Sequence, residues 1–547
     1  MKEKIIYRII LFAIILLGFF MRTTGSNWDQ GFHLHPDERM IQMTALSLHA
    51  PQNIADFLTV RSGINPHFFA YGSFPIYFLR ISSLAFGKIN SSFATYENIF
   101  YVGRMISIFS ELMTIIVVFL IGRKIINMSV GIFASFFYAV SVLPIQTSHY
   151  YTVDTLLTLL ILLTLFYLIK NADNPTYKSS VFAGIFLGLG LATKISAGTL
   201  IIPIFALLFL TRVYKKIALL LTVGCITFFI FQPYALIDFT EFMKQNMLQY
   251  EMTHNPFIST YTLQYVAKVP FLFELKNIFL WGLGPFISLL FVEGLILFLH
   301  GMFKKNVVKK KYPNVILLIF VTTYFLFIGG LTVGFMRYLL PIYPLLCIFA
   351  GVAFVTLCKS LEKINKYLYF LIIFILLICS SIWALTFLSI YDLSNTRVIA
   401  STWINKNIPP NKTFAVEHWD DTLPLFGQEK YRLETLELFN KDSKEKWIII
   451  NEQLKKSDYI IIASNRLRGP LQKLTDCSRL EKNRCYPLTA KYYKNLFAEN
   501  LGFEKIVEFE NLPRIPATKF YIDDSSADES FTVHDHPKIT IFKKSSL

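Results

Sequence analysis

The stretch TVDTLLTLLILLTLFYLI, residues 152–169, decides the fold class of this chain. Asp154 is the only charged residue of this stretch, and Lys170 directly follows its last residue. An α-helix needs about 20 mostly apolar residues to cross the hydrocarbon core of a bilayer. The stretch therefore predicts a membrane-spanning helix with a carboxylate at one membrane face and a basic residue at the other.

Apolar runs of this kind recur along the 547 residues, and hydrophobic residues make up 54% of the chain. Charged residues make up only 16%, against about 25% in soluble domains. We predict eleven spans from the pattern, at roughly 5–21, 98–121, 129–148, 152–169, 179–193, 195–211, 217–236, 278–299, 313–333, 338–358 and 367–389. The fold class is thus an all-α polytopic membrane domain.

The formal net charge of +16 is concentrated in short segments between spans. Eighteen basic residues lie there against the three acids Glu3, Asp173 and Glu362: Lys2, Lys4, Arg8, Arg123, Lys124, Lys170, Lys178, Arg212, Lys215, Lys216, Lys304, Lys305, Lys309, Lys310, Lys311, Lys359, Lys363 and Lys366. Basic loops favour the cytoplasmic side, so we predict a multi-pass plasma-membrane protein with a cytoplasmic N-terminus. No basic module remains for nucleic acid.

Two long loops, 22–97 and 237–277, then fall on the extracytoplasmic side with the polar tail. We divide the chain into a transmembrane domain, 1–389, and a small extracytoplasmic α/β domain, 390–547. The tail has short β-branched runs at 447–450 and 459–462, helical patterns between them, and a final strand near 538–542. Cys477 and Cys485 either form a disulfide, which an oxidising compartment allows, or remain two thiols.

Acidic residues follow the first span and open the fourth. A carboxylate of Asp37 or Glu38 can take the proton from an attacking hydroxyl; alternatively, Pro36 starts a helix with both acids in its first turn. The predicted topology brings Asp154 to the same membrane face. The two distant aspartates would share acid–base work or bind a divalent cation, unless Asp154 only caps its helix.

Three cations, Arg104, Lys194 and Arg337, fall on that same face. They are suited to bind a phosphate at the headgroup level, or they extend to lipid headgroups instead. Arg104 has an alternative partner in Glu111, seven residues later on the same helical face. Lys194 lies in the turn of a predicted tight hairpin whose glycines permit close helix packing.

In the tail, the segments 417–421 (EHWDD) and 534–536 (HDH) are either ligand sites or polar turns between strands. The sequence has no Walker loop, no dinucleotide-binding glycine fingerprint, no serine nucleophile elbow and no zinc-binding cysteine set. This argues against an enzyme that uses ATP or a soluble nucleotide donor.

Seven short motifs follow one another along the chain: HPDE (35–38), YGSFP (71–75), VGR (102–104), Asp154, GLATK (190–194), RYLLP (337–341) and AVEHWDD (415–421). Their order resembles the GT-C superfamily of membrane glycosyltransferases, and within it bacterial members of the dolichyl-phosphate-mannose protein mannosyltransferase family. The tail lacks the β-trefoil of the eukaryotic members, which puts a protein acceptor in doubt.

The resemblance implies an inverting transfer of a sugar from a polyprenyl-phosphate donor to a hydroxyl acceptor (glycan, lipid or protein) at the extracytoplasmic face. Its implied roles are base for Asp37 with Glu38 and Asp154 beside it, phosphate binding for Arg104, Lys194 and Arg337, and substrate contacts for His35, Tyr71 and His149. A divalent metal at Asp37 and Asp154 stays open. The alternative is a transporter or lipid-glycan flippase, which would show repeated halves; we see none.

Overall fold

A computed structural model of the protein describes residues 2–266, 268–303, 311–362 and 366–545. The chain forms two compact units. One comprises Met1–Ser26, His35–Tyr250 and Pro270–Leu385, and the other comprises Asn27–Leu34, Glu251–Val269 and Thr386–Leu547. The division at residues 389 and 390 stays a prediction.

The first unit is built from helices throughout its described residues. Its α-helices are α1 (Lys2–Thr23), α2 (Pro36–Ser47), α3 (Ile54–Phe57), α4 (Ser73–Gly87), α5 (Ile99–Ile125), α6 (Met128–Ala139), α7 (Val142–Ser148), α8 (Val153–Asp173), α9 (Tyr177–Leu191), α10 (Ile201–Thr211), α11 (Tyr214–Phe231), α12 (Tyr234–Ile237), α13 (Phe239–His254, which ends in the second unit), α14 (Leu272–Asn277), α15 (Pro285–Phe303), α16 (Lys311–Gly329), α17 (Tyr343–Glu362) and α18 (Lys366–Leu388, which ends in the second unit). Short 3₁₀ turns lie at Ser91–Ala94, Ile195–Leu200 and Met336–Ile342, and a π-helical turn at Ile278–Gly282.

Eight helices of the described residues are long and apolar enough to cross a membrane, and α6 with α7, bent by 57°, would form a ninth span. The apolar helices Tyr177–Leu191 and Ile195–Thr211 are shorter. Every predicted apolar run coincides with helix, so the helical membrane fold is confirmed. The number of crossings stays a prediction.

Contacts at one end of the helices join several of the predicted cytoplasmic segments. Lys124, in the last turn of α5, pairs with Asp173 at the end of α8. Lys216 at the start of α11 donates to the Pro175 carbonyl oxygen at 2.8 Å. The predicted basic residues Lys304, Lys305, Lys309, Lys310 and Lys363 lie outside the described residues.

Helices α9 and α11 pack with their backbones in contact. A Cβ atom on Gly184 or Gly188 would come within 2.5 Å of the carbonyl oxygen of Leu220 or Gly224 respectively. Because no side chain fits there, these glycines permit close packing of α9 on α11, whereas the sequence predicts close packing within the hairpin of 179–193 and 195–211.

The second unit contains one five-stranded sheet in the order β2-β1-β3-β5-β4. Strands β1 (Thr413–Glu417), β2 (Arg432–Leu436) and β3 (Tyr459–Ile462) are parallel, and β4 (Phe503–Phe509) and β5 (Ile539–Lys544) complete the sheet with antiparallel pairs. The helices are α19 (Thr396–Asn407), α20 (Lys444–Lys456), α21 (Arg468–Leu471), α22 (Pro487–Phe497) and α23 (Glu529–Thr532). Short 3₁₀ turns lie at Thr260–Tyr265, Ser389–Asp392, Gln428–Lys430 and Lys482–Arg484.

The small α/β domain is confirmed, with one correction. The apolar run 447–450 lies in α20 and not in a strand. The Ser443 side chain caps this helix by accepting from the Lys446 amide, and Ile450 is buried while Ile448 and Ile449 are exposed. Cys477 and Cys485 form a disulfide.

Candidate functional site

Four ionisable residues from distant parts of the chain meet at one end of the first unit. Asp37 lies in the first turn of α2, after Pro36, and Asp154 lies in the first turn of α8. Lys194 occupies the turn between α9 and the 3₁₀ turn Ile195–Leu200, and Arg337 lies in the 3₁₀ turn before α17. We call these four residues the ionic cluster.

A single guanidinium joins the two aspartates. Arg337 Nη2 donates to Asp37 Oδ2 at 2.5 Å, and Arg337 Nε lies 3.5 Å from Asp154 Oδ2. Lys194 Nζ donates to Asp154 Oδ1 at 2.9 Å. The Asp154 side chain is 3% exposed and that of Asp37 is 26% exposed. Asp37 is therefore the carboxylate of the pair that is more accessible from outside.

The loop that carries Tyr71 packs directly against the turn that carries Lys194. A Cβ atom on Gly72 would lie 1.8 Å from the Ala192 carbonyl oxygen, so only glycine allows this approach. The Gly72 amide donates to the Thr193 carbonyl oxygen at 2.9 Å. This packing brings the Tyr71 side chain close to the Asp37 carboxyl, whose pKa it lowers.

Two further aromatic side chains line the ionic cluster. The Lys194 ammonium lies 4.1 Å from the centroid of the Tyr338 ring, a cation–π contact. The His35 Nε2 atom lies 3.4 Å from Arg337 Nη1, and its ring packs on Tyr150 with centroids 4.6 Å apart. Tyr338 was missed as a site residue, although it directly follows Arg337 in the sequence.

The ionic cluster keeps Asp37 ionised. Burial raises the pKa of the carboxyl, but the neighbouring Arg337 and His35 and the hydrogen bonds from Tyr71 and Arg337 outweigh it and lower the pKa to about 2. Burial and the Asp37 charge raise the pKa of the Tyr71 hydroxyl well above its usual value. Tyr71 is therefore a neutral hydrogen-bond donor at neutral pH.

The predicted site residues Glu38 and Arg104 form a separate buried pair. Arg104 Nε and Nη2 donate to the two Glu38 carboxylate oxygens at 3.0 and 2.8 Å, and the Tyr151 amide donates to Glu38 Oε1 at 3.0 Å. Both side chains are at most 2% exposed. Glu38 and Arg104 neutralise each other, so we interpret them as structural residues and not as base and phosphate ligand.

The alternative pairing of Arg104 with Glu111 is wrong. Glu111 lies 3.3 Å from Arg22 of α1 and accepts from the Tyr138 hydroxyl at 2.9 Å. Residues seven apart on a helix are separated by about 10 Å along its axis. Each residue instead contacts a partner from another helix.

His149 is also held by the backbone. Its Nδ1 lies 2.8 Å from the Ile145 carbonyl oxygen and its Nε2 lies 2.7 Å from that of Thr24. The side chain is fully buried. Both nitrogens face carbonyl oxygens, which indicates a structural role in place of the expected substrate contact.

We predict that Glu38→Gln destabilises the protein. A buried pair that loses one charge leaves the other uncompensated, which costs about 3–5 kcal/mol. Thermal unfolding of the purified protein in detergent measures this, with the exposed Glu251→Gln as the matched control, for which little change is expected. Unchanged stability together with lost activity would return Glu38 to the catalytic site.

The ionic cluster does not fit a divalent metal ion. Each aspartate is already matched by a cation, since Arg337 contacts both and Lys194 contacts Asp154. Metal ions take carboxylates together with further oxygen ligands, and no group of three or more His, Cys, Asp or Glu in the described residues could hold one. We derive no step through a metal.

The acidic and histidine segments of the tail form buried networks within the second unit. Asp420 pairs with Arg397 at 2.9 Å and also accepts from Ser464. His536 lies between Asp535 and Asp524, at 2.7 and 2.9 Å. Burial lowers the pKa of His536, but the two carboxylates outweigh it and raise the pKa to about 10. These contacts favour the structural alternative for both segments.

Comparisons with known proteins agree with the fold. Over residues 90–237 the chain matches the family model of dolichyl-phosphate-mannose-protein mannosyltransferases. No curated protein matches the chain in sequence.

Solved structures match over most of the chain. The Archaeoglobus fulgidus oligosaccharyltransferase in its apo form is 14% identical with a TM-score of 0.54, over 95% of this chain and 74% of that one. The oligosaccharyltransferase AglB of the same organism, in complex with an inhibitory peptide and a dolichol-phosphate, is 13% identical with a TM-score of 0.52, over 99% and 89%. ArnT from Cupriavidus metallidurans, bound to undecaprenyl phosphate, is 13% identical with a TM-score of 0.50, over 84% and 93%. The expected resemblance to GT-C membrane glycosyltransferases is confirmed.

Proposed function

We propose that this protein transfers a sugar, a hexose or a pentose, from a polyprenyl-phosphate donor to a hydroxyl acceptor, with inversion at the anomeric carbon. The observation that carries the proposal is the ionic cluster, in which two cations and two carboxylates from four segments meet at one end of the helices. Two of the similar structures contain a polyprenyl phosphate, dolichol-phosphate or undecaprenyl phosphate. The two cations of the ionic cluster are complementary in charge to such a phosphate.

The carrier phosphate would bind to Arg337 and Lys194. Charge-assisted hydrogen bonds from Arg or Lys to phosphate are among the stronger polar contacts in proteins. The buried Arg337 Nε atom makes no hydrogen bond in the described part of the chain, although Asp154 Oδ2 lies 3.5 Å from it. We expect a phosphate oxygen bound beside Arg337 to accept from this donor.

Phosphate binding would change the state of Asp37. In the structure the Asp37 carboxylate accepts a hydrogen bond from Arg337 Nη2. The lowered pKa of Asp37 makes this carboxylate a weak base. A phosphate on Arg337 competes with Asp37 for the same guanidinium. Once displaced, the carboxylate loses its main stabilising charge, its pKa rises, and it becomes a stronger base. Asp154 would stay paired with Lys194 and hold the Lys194 and Arg337 side chains in position.

The reaction then proceeds as one displacement. The acceptor hydroxyl oxygen forms a bond to the anomeric carbon while the bond from that carbon to the phosphate oxygen breaks. The bonding electrons leave with the polyprenyl phosphate. Arg337 and Lys194 stabilise the negative charge that develops on this phosphate. Asp37 takes the acceptor proton, and Tyr71 donates to the Asp37 carboxylate and orients it.

We place this site on the extracytoplasmic side of the plasma membrane. The N-terminus and the basic segments around Lys124 and Lys216 would be cytoplasmic, since basic loops favour that side. The ionic cluster belongs to the opposite ends of the same helices. The Cys477–Cys485 disulfide supports an extracytoplasmic tail, because such bonds persist in oxidising compartments.

A reconstituted assay tests the proposal. Purified protein in liposomes is given polyprenyl-phosphate sugars and a membrane glycan extract as acceptor, and release of polyprenyl phosphate is followed by mass spectrometry. We expect release that depends on both donor and acceptor and is lost in Lys194→Met, while the exposed control Lys244→Met retains it. Donor that crosses the bilayer unchanged, without release, would indicate a flippase and contradict the proposal.

A further inference from the structure

An exposed hairpin in the second unit lies beside the end of the last membrane helix. It spans residues 511–522 and is closed by an antiparallel bridge between Arg514 and Tyr521. The Ile515 amide donates to the Phe520 carbonyl oxygen at 2.9 Å. Phe520 is 71% exposed and Tyr521 is 60% exposed. Two large aromatic rings thus project from one short element.

Three contacts fix the base of this hairpin to the residues that directly follow α18. The Asn511 side chain donates to the Ile390 carbonyl oxygen at 2.7 Å, and the Arg514 amide donates to the Ser389 hydroxyl at 2.7 Å. Arg514 Nη2 also lies 3.6 Å from Asp392. The hairpin is therefore held within one helical turn of the end of a membrane span.

One face of α18 is apolar and exposed. Large apolar side chains are exposed along it at a helical spacing, and the next position of that spacing is Ser389, which accepts from the hairpin. The exposed residues are Phe374, Ile378, Ile382 and Leu385. A helix face of this kind is suited to contact lipid, and Ser389 follows its last residue, Leu385, by one helical turn of the chain.

We propose that the hairpin 511–522 binds the headgroup layer of the bilayer, with Phe520 and Tyr521 inserted at its boundary with the acyl chains. Tyrosine is enriched at this depth, and the apolar Phe520 ring gains free energy when it leaves water. The exposed Lys519 beside them supplies a cation, which is attracted by anionic lipids. The hairpin would hold the second unit at the membrane surface. This role does not depend on the proposed sugar transfer.

Photo-crosslinking tests this proposal on the full chain. Benzoylphenylalanine is introduced at position 520, and the protein is placed in nanodiscs of phosphatidylcholine and phosphatidylglycerol in equal parts. The matched control carries it at Leu433, which is also exposed but lies in β2, the sheet edge opposite to β4. After illumination, lipid adducts on the protein are quantified by mass spectrometry.

We expect lipid adducts at position 520 in about tenfold excess over position 433, enriched in phosphatidylglycerol. Lys519→Gln should remove the enrichment but not the adducts. Equal yields at the two positions, or adducts at 520 formed with protein only, would overturn the proposal. Because position 520 is exposed, the substitution leaves the fold intact, and circular dichroism of the labelled protein checks this.

Discussion

Asp37→Asn is expected to lower kcat for sugar transfer by about 10²- to 10⁴-fold, the usual contribution of a general base. The same variant should bind polyprenyl phosphate more tightly than the unmodified protein. Asp37 competes with the phosphate for Arg337, and removing its charge ends that competition. Coupling free energies between such sites correspond to about 5- to 150-fold in affinity, and we expect a gain in that range.

Two measurements on the same nanodisc preparation check this result. Transfer is followed with radiolabelled donor, and affinity for polyprenyl phosphate is measured by titration calorimetry. Glu251→Gln, an exposed carboxylate on α13, is the control and should change neither quantity. Full activity in Asp37→Asn would remove Asp37 as the base. Weaker phosphate binding would instead mean that Asp37 orients Arg337, and the competition would be refuted while the transferase proposal stands.

Arg337→Met is expected to weaken binding of polyprenyl phosphate by about 10- to 150-fold, from the free energy of one or two hydrogen bonds to a charged group. The loss should appear in KM for the donor and in kcat, because the developing charge on the leaving phosphate is also left without its guanidinium. Arg337→Lys keeps the charge but not the planar fork, and an intermediate loss is expected.

The control for this experiment is Arg123→Met, which replaces an exposed arginine in the last turn of α5. It should leave donor affinity unchanged in the same titration. A wild-type KM for the donor in Arg337→Met would exclude Arg337 from the phosphate site. Lys194 alone would then have to carry the phosphate.

The fold could be predicted because its signal is local. A run such as 152–169 is long and apolar enough to span a bilayer whatever the rest of the chain does. The run 447–450 was misjudged because four apolar residues carry no periodicity that separates a strand from a helix. Ser443, which caps that helix, is a common turn residue as well and did not decide between them.

The ionic cluster could be predicted in part. Alternating spans bring Asp37, Asp154, Lys194 and Arg337 to one membrane face, and the structure brings these four into contact. Asp37 and Glu38 are expected to point in different directions, but which of them faces the cluster could not be predicted. Adjacent helix positions point about 100° apart, and nothing local indicates which of them faces the cluster and which faces Arg104 in the interior.

A structure of the protein with polyprenyl phosphate bound tests the central claim most directly. We predict phosphate oxygens within hydrogen-bonding distance of Arg337 and Lys194, and an Asp37 carboxylate that has moved more than about 4 Å from the guanidinium, beyond ion-pair range. A phosphate bound elsewhere, or an Asp37–Arg337 pair still intact at 2.5 Å beside the bound phosphate, would contradict the account.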